Sequence, residues 1–158
     1  MTEGFESLSE DQFRICKNAI AWITVLIAGS DGKIDRQETS WAKKITEIRS
    51  YASPNHLEDF YKDVGVDFSK VLDNLLDRVP SDATERNALL SRKISQLNEI
   101  FPLLDNKLAY HLYDSYRTFA HHVAKSSGGF LGFFTVSAEE KKLMSLPMLN
   151  EVIYDEEA

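Results

Sequence analysis

The chain predicts an all-α fold, a single-domain bundle of about seven helices with a pseudo-twofold helix-loop-helix repeat. Three observations lead there. Apolar residues recur every three or four positions over nearly the whole length. Ser9, Asp35 and Asp82 each stand three residues before Gln or Glu, the pattern of a capping box at a helix start. Connections between the periodic runs are short except for residues 128–136, and short links favour antiparallel neighbours.

The first helix follows Ser9 and carries Phe13, Cys16, Ile20, Ile23 and Ile27 at helical spacing. Its centre, AWITVLIA, is apolar nearly all round, which suits a central helix; its β-branched residues make a buried strand the rival reading. Asp35 and Glu38 open a second helix with Trp41, Ile45, Ile48 and Ala52 on one face. Ser53-Pro54 starts a third, because proline fits the first helical position. Leu57, Phe60, Tyr61 and Val64 line it, and Gly65 can end it in a left-handed cap. Asp67 caps a fourth, with Phe68, Val71, Leu72, Leu75, Leu76 and Val79 inward and Pro80 as its stop. Behind Asp82 and Glu85 run Leu90, Ile94, Leu97 and Phe101, and Pro102 breaks that helix. A long helix spans about 105–126 with Leu108, Leu112, Phe119 and Val123 apolar. Ser137 and Glu140 cap the last one, with Leu143, Leu146 and Leu149 inward and Pro147 bending or ending it. Residues 1–8 read as a lead-in, 9–153 as the domain, and 154–158 as an acidic tail.

A 158-residue chain can bury a substantial core in one domain. Net charge is −7 and evenly spread, with no basic run, which argues against nucleic acid and anionic membrane as partners. Cys16, the single cysteine, permits no internal disulfide and fits an apolar face. The N-terminus lacks an apolar signal region, and the longest strongly apolar run, Ala19 to Ala28, is far too short to span a membrane. The expected compartment is the cytoplasm.

The most specific local pattern is AGSDGKIDRQE at 28–38. Gly32, Ile34 and Glu38 stand as positions six, eight and twelve of a calcium-binding EF-hand loop. Positions one and three fall on Ile27 and Gly29, which offer no carboxylate, so this is half a cation loop. An echo follows the long helix. VAKSSGGFLGFFTVSAEE, residues 123–140, again turns at glycine, sets a β-branched residue before a cap, and puts glutamate three residues on.

These two segments resemble the TerB family, known from bacterial tellurite-resistance operons and related to the N-terminal domain of the DjlA co-chaperones. The resemblance covers roughly residues 9–153, and the serine, double glycine and FLG of the second segment are its more specific part. It implies an all-α bundle and a cytoplasmic, non-enzymatic role in a stress context. It also implies a cation site, calcium in some members, whose acids carry over as Asp31 and Glu38, and further Glu140. Ser127 stands where the first loop has Asp31, a departure that weakens two equivalent sites.

Two readings of the acids compete. Asp31, Asp35, Glu38 and Glu140 could supply oxygen ligands to Ca2+, with carbonyls and water completing the six to eight that calcium takes. Alternatively Asp31-Gly32 makes the turn while Asp35 and Glu38 only cap a helix. The second loop, with Ser127, Gly128, Gly129, Phe130, Leu131, Phe133 and Phe134, is either a hydrophobic cover over the bundle or a surface for a protein partner. It lacks the lysine and strand of a nucleotide loop. His111, Asp114, His121 and His122 share one helix but match no zinc or catalytic spacing, and no serine sits in a GxSxG elbow. The first expectation is a non-enzymatic binding or scaffold module with a protein partner. The alternatives are a metal-dependent hydrolase built on the histidines and acids, and a structural interaction domain such as a homodimer through an apolar helix face.

Overall fold

The computed structural model describes residues 1–30, 32–126 and 138–154. Among these residues the chain is helical, with no strand. The α segments are α1 (Glu10–Ala28), α2 (Arg36–Arg49), α3 (Glu58–Gly65), α4 (Phe68–Arg78), α5 (Ala83–Ser95), α6 (Leu97–Ile100), α7 (Asn106–Ser126) and α8 (Ala138–Leu143). Short 3-10 turns lie at Pro54–His56 and Phe101–Leu103.

The apolar centre of the first predicted helix is the axis of the bundle. Every residue from Ala19 to Ala28 in α1 is buried, and α1 packs against α2, α3, α4, α5 and α7. The polar Thr24 survives there because its hydroxyl donates to the Ile20 carbonyl one turn back, at 2.8 Å. Ser9 and Gln12 form the full reciprocal capping box. The lead-in joins the core: Phe5 is buried, stacked on Phe60 and edge-on to Phe13. No described helix is long and apolar enough to cross a membrane.

Several elements differ from expectation, each for a local reason. The third helix begins at Glu58, because Asn55 and His56 take left-handed backbone angles (φ 67° and 59°) after Pro54. Asn55 is held there by a bond from its amide to Asp114 (3.1 Å). Gly65 ends α3 without a positive φ. Asp67 stands at the start of α4, but its side chain makes no capping hydrogen bond. Pro102 falls in a 3-10 turn that separates α6 from α7. The last helix stops at Leu143; Leu146 lies beyond it at φ 53°, while Leu143, Leu146 and Leu149 are all buried as expected. Most of the expected second copy, residues 127–137, lies outside the described residues, as do Asp31 and the tail from 155.

The most consequential feature concerns α2. The apolar face that carries Trp41, Ile45 and Ile48 is buried only in part, since Ile45 is 6% exposed while Trp41 and Ile48 are each 43% exposed. The face that is actually buried runs Glu38, Ala42, Ile45 and Arg49. α2 therefore turns a charged register toward the protein and leaves an apolar stripe facing outward.

Candidate functional site

Two places gather chemistry. The first is the loop between α1 and α2. Gly32 sits at φ 129°, a conformation that strains any side chain, so glycine at this position is a requirement of the turn. The loop is clamped by α5. Arg86 is only 2% exposed, and its Nη2 donates to the carbonyls of Gly29 (2.7 Å) and Gly32 (2.6 Å). Its Nη1 donates to the carbonyls of Ser81 (3.1 Å) and Pro80 (3.3 Å). Asn87 adds a 3.4 Å bond to the Ser30 carbonyl. The half cation loop thus already surrounds a cation, the guanidinium of the chain itself. Gly29 is tied to this arrangement, since a Cβ there would lie 2.8 Å from Nη2 of Arg86.

The expected cation ligands divide. Asp31 lies outside the described residues. Asp35 is the cap of α2, with Oδ1 accepting from the amides of Gln37 (2.8 Å) and Glu38 (3.1 Å). The box expected with Glu38 is one-sided. The Asp35 amide donates to the Ala28 carbonyl instead (2.8 Å), and Glu38 turns inward to 2% exposure. Glu140, its counterpart in the expected second copy, is also buried, at 4%. Ser127, Gly128, Gly129, Phe130, Phe133 and Phe134 lie outside the described residues. Among the described residues no group of three or more His, Cys, Asp or Glu is arranged to hold a metal ion. Asp114 accepts from Asn55, while His122 bonds Arg49, so these two members of the histidine-acid set have separate partners.

The second place is a groove of about 630 Å³ between α2 and α7. One wall is α2, with Trp41 and Ile48 exposed beside the buried Ile45, continued past the helix end by Ala52 and Pro54. The opposite wall is the end of α7, with His122, Lys125 and Ser126. Arg49 lies at the junction. Its Nη1 donates to the Tyr61 hydroxyl (2.9 Å) and to the Ser115 carbonyl and hydroxyl (both 3.1 Å). Its Nη2 bonds Thr118 Oγ1 (3.2 Å) and His122 Nδ1 (3.1 Å). The rings of Tyr61 and Phe119 stand 5.4 and 5.5 Å from its guanidinium carbon. Arg49 is 2% exposed, and all of these hydrogen-bond partners are uncharged.

That network sets the state of His122. Arginine only donates, so Nδ1 of His122 accepts and the neutral ring carries its proton on Nε2. Partial burial of the ring lowers the imidazole's affinity for a proton, and the charges of Arg49, Lys125 and His121 lower it further. His122 remains an exposed neutral donor backed by a buried cation. The groove therefore offers apolar surface, one fixed N–H donor and net positive charge, without a carboxylate among the described residues that line it.

Neither buried arginine was singled out from sequence, although each extends an apolar register. Arg49 follows Ala42 and Ile45 at helical spacing; Arg86 precedes Leu90, Ile94 and Leu97 in the same way. A cation on a core-facing register is the signal that could have found both. Comparison with protein-family models, with curated proteins and with solved structures returned no match.

Proposed function

We propose that this chain is a non-enzymatic binding module, cytoplasmic and TerB-like, whose ligand seat is the groove between α2 and α7. One observation carries the reading: an outward apolar stripe on α2 runs beside a buried arginine whose hydrogen-bond partners are all uncharged. Exposing Trp41 and Ile48 is unfavourable for the free protein at about 25 cal/mol per Å² of apolar surface, and a ligand that covers them recovers that energy. Burying a guanidinium is also costly unless its charge is compensated, so an arginine kept at this position favours a partner that supplies negative potential. The sequence resemblance of segments 28–38 and 123–140 to TerB supports a binding role and a stress context.

A second reading concerns a divalent cation. It is favoured by the burial of Glu38 and Glu140, which occupy equivalent positions in the two motif copies. Here Glu38, Glu140 and Asp31 bind calcium, while Asp35 keeps its capping role and Arg86 keeps the Gly29 and Gly32 carbonyls.

Amide NMR on metal-free protein tests both readings. Small apolar acids, amides and amines are titrated first. Saturable shifts at Trp41, Ile48, Arg49, His122 and Lys125, lost in Ile48→Glu, support the groove; a groove that responds to no compound refutes it. Calcium is then added. Shifts at 32–38 and 138–140, weakened in Asp31→Asn, support the cation reading, and silence at millimolar calcium removes it.

A further inference from the structure

We propose that the α2–α7 groove receives an acidic amphipathic helix from a partner protein. Its apolar side packs on the Trp41–Ile48 stripe, and its carboxylates face Arg49, His122 and Lys125. The inference rests on the binding-module reading and names the partner's chemistry.

Charge is the first argument. The chain carries 25 acidic and 18 basic side chains, so an acidic partner meets repulsion from the molecule as a whole. The groove is an exception: among the described residues three basic residue types and no acid line it. A complementary patch on a like-charged molecule selects where an acidic partner lands. Shape is the second argument. Trp41, Ile45 and Ile48 follow one another at spacings of four and three, so they form a strip on α2, and Ala52 follows four residues on, past the end of the helix. At 1.5 Å per residue the strip from Trp41 to Ile48 is about 10 Å long, roughly two helical turns, and Ala52 prolongs it. An apolar strip of that length between two helices suits a third helix with anchors at i, i+3 or i+4, and i+7. Exposure is the third. Trp41, Ile48, Ala52, Pro54, His122 and Lys125 are all exposed, so the site is an open channel and does not engulf a small free acid. A nucleic acid would need many phosphate contacts, whereas this surface is mainly apolar and the net charge is −7.

The binding contacts follow from the groups present. The Nε2–H of His122 and the ammonium of Lys125 donate to partner carboxylates, and the charge of Arg49 strengthens both from behind. The exposed ring of Trp41 covers an aliphatic or aromatic anchor.

The test uses the full chain and synthetic amphipathic peptides of about four helical turns. One set has leucine or phenylalanine at anchor spacing and glutamate flanking the anchors; matched sets replace glutamate by glutamine or by lysine. Binding is read by the fluorescence of Trp41 in a Trp22→Phe background and by amide shifts. The expected result is that the glutamate set binds about tenfold or more tighter than the glutamine set, with the lysine set weakest and added salt narrowing the gap. The double variant His122→Gln and Lys125→Glu, on exposed positions, should bring the glutamate and glutamine sets together. Ile48→Glu should weaken every set.

Equal affinity for the glutamate and glutamine sets overturns the acidic partner and leaves the binding module standing. So does a groove that responds to small compounds in the preceding experiment but to no peptide. Self-association lost in Ile48→Glu would make a second copy of the chain the occupant and overturn the inference. Peptide binding that appears only in a Phe130→Ser, Phe134→Ser variant would assign the groove to the chain's own segment and overturn it equally.

Discussion

Arg86 and Gly29 form a unit in which a side chain and the absence of one depend on each other. Four backbone carbonyls accept from this guanidinium, and Gly29 leaves the room it occupies. Arg86→Met strands buried acceptors and should lower stability by about 3 kcal/mol, since each unsatisfied group costs about 1–3 kcal/mol. Gly29→Ala, at an ordinary φ of −110°, should cost about 1–3 kcal/mol through collision alone. Because one substitution removes the atoms the other collides with, the two costs should not add. A double-mutant cycle by urea denaturation checks this; strict additivity would mean that the contact does not couple them. Gly32 was legible in the sequence as a turn residue, whereas the need for glycine at 29 was not. The arginine was not, because its partners are carbonyls brought together only by the packing of α5 against the loop after α1.

Single helices show the same division. The starts of α1, α2 and α5 were read correctly at Ser9, Asp35 and Asp82, and each of these side chains accepts from an amide of its own first turn. Capping acts within one turn, so local sequence contains all the information required. Its reciprocal half is less secure. Gln12 reaches back to Ser9, whereas the Asp35 amide is taken by Ala28 from a preceding helix. Asp35→Ala should therefore destabilise by about 1 kcal/mol. Asp67→Ala, at a helix start without a side-chain cap bond, should stay within about 0.5 kcal/mol. Thermal or urea unfolding of both variants provides the comparison, and equal losses would contradict the assignment of Asp35 as a working cap. Periodicity placed Trp41, Ile45 and Ile48 on one face of α2 without stating what covers it, and only Ile45 is buried.

In the molecule as a whole, α1 is the shared neighbour, and the polar connections are arranged around it. The Tyr116 hydroxyl donates to the Cys16 carbonyl at 2.7 Å, and Arg49 joins α2 to α3 and α7. Burial pushes the Cys16 thiol up to about 12, so it should resist thiol reagents until the chain unfolds. The acid response follows from His121 and His122. Both are held below their ordinary value, first by burial; Lys125 and Arg117 add to the effect on His121, and Arg49, Lys125 and His121 on His122. The unfolded chain therefore binds these protons first. Their contribution is complete above about pH 6.5 and is lost as pH falls through the lowered native values. Urea midpoints at pH 7.5, 6.5 and 5.5 should decline, and replacing both histidines by glutamine should flatten the decline. A wild-type midpoint that rises on acidification would refute this account.

By itself the sequence determined that the chain is helical, where most helices start, and that the segment after the first helix turns at glycine. These depend on hydrogen bonds and backbone angles within a few residues, so they are written locally. Only the tertiary structure decided which face of α2 is buried, that Arg86 fills the half cation loop, and that Arg49 stands beside an apolar groove with uncharged hydrogen-bond partners. Those features join groups up to 73 positions apart in the chain. Such pairings are set by how helices pack, and one-dimensional periodicity gives the faces available for packing without saying which of them meet.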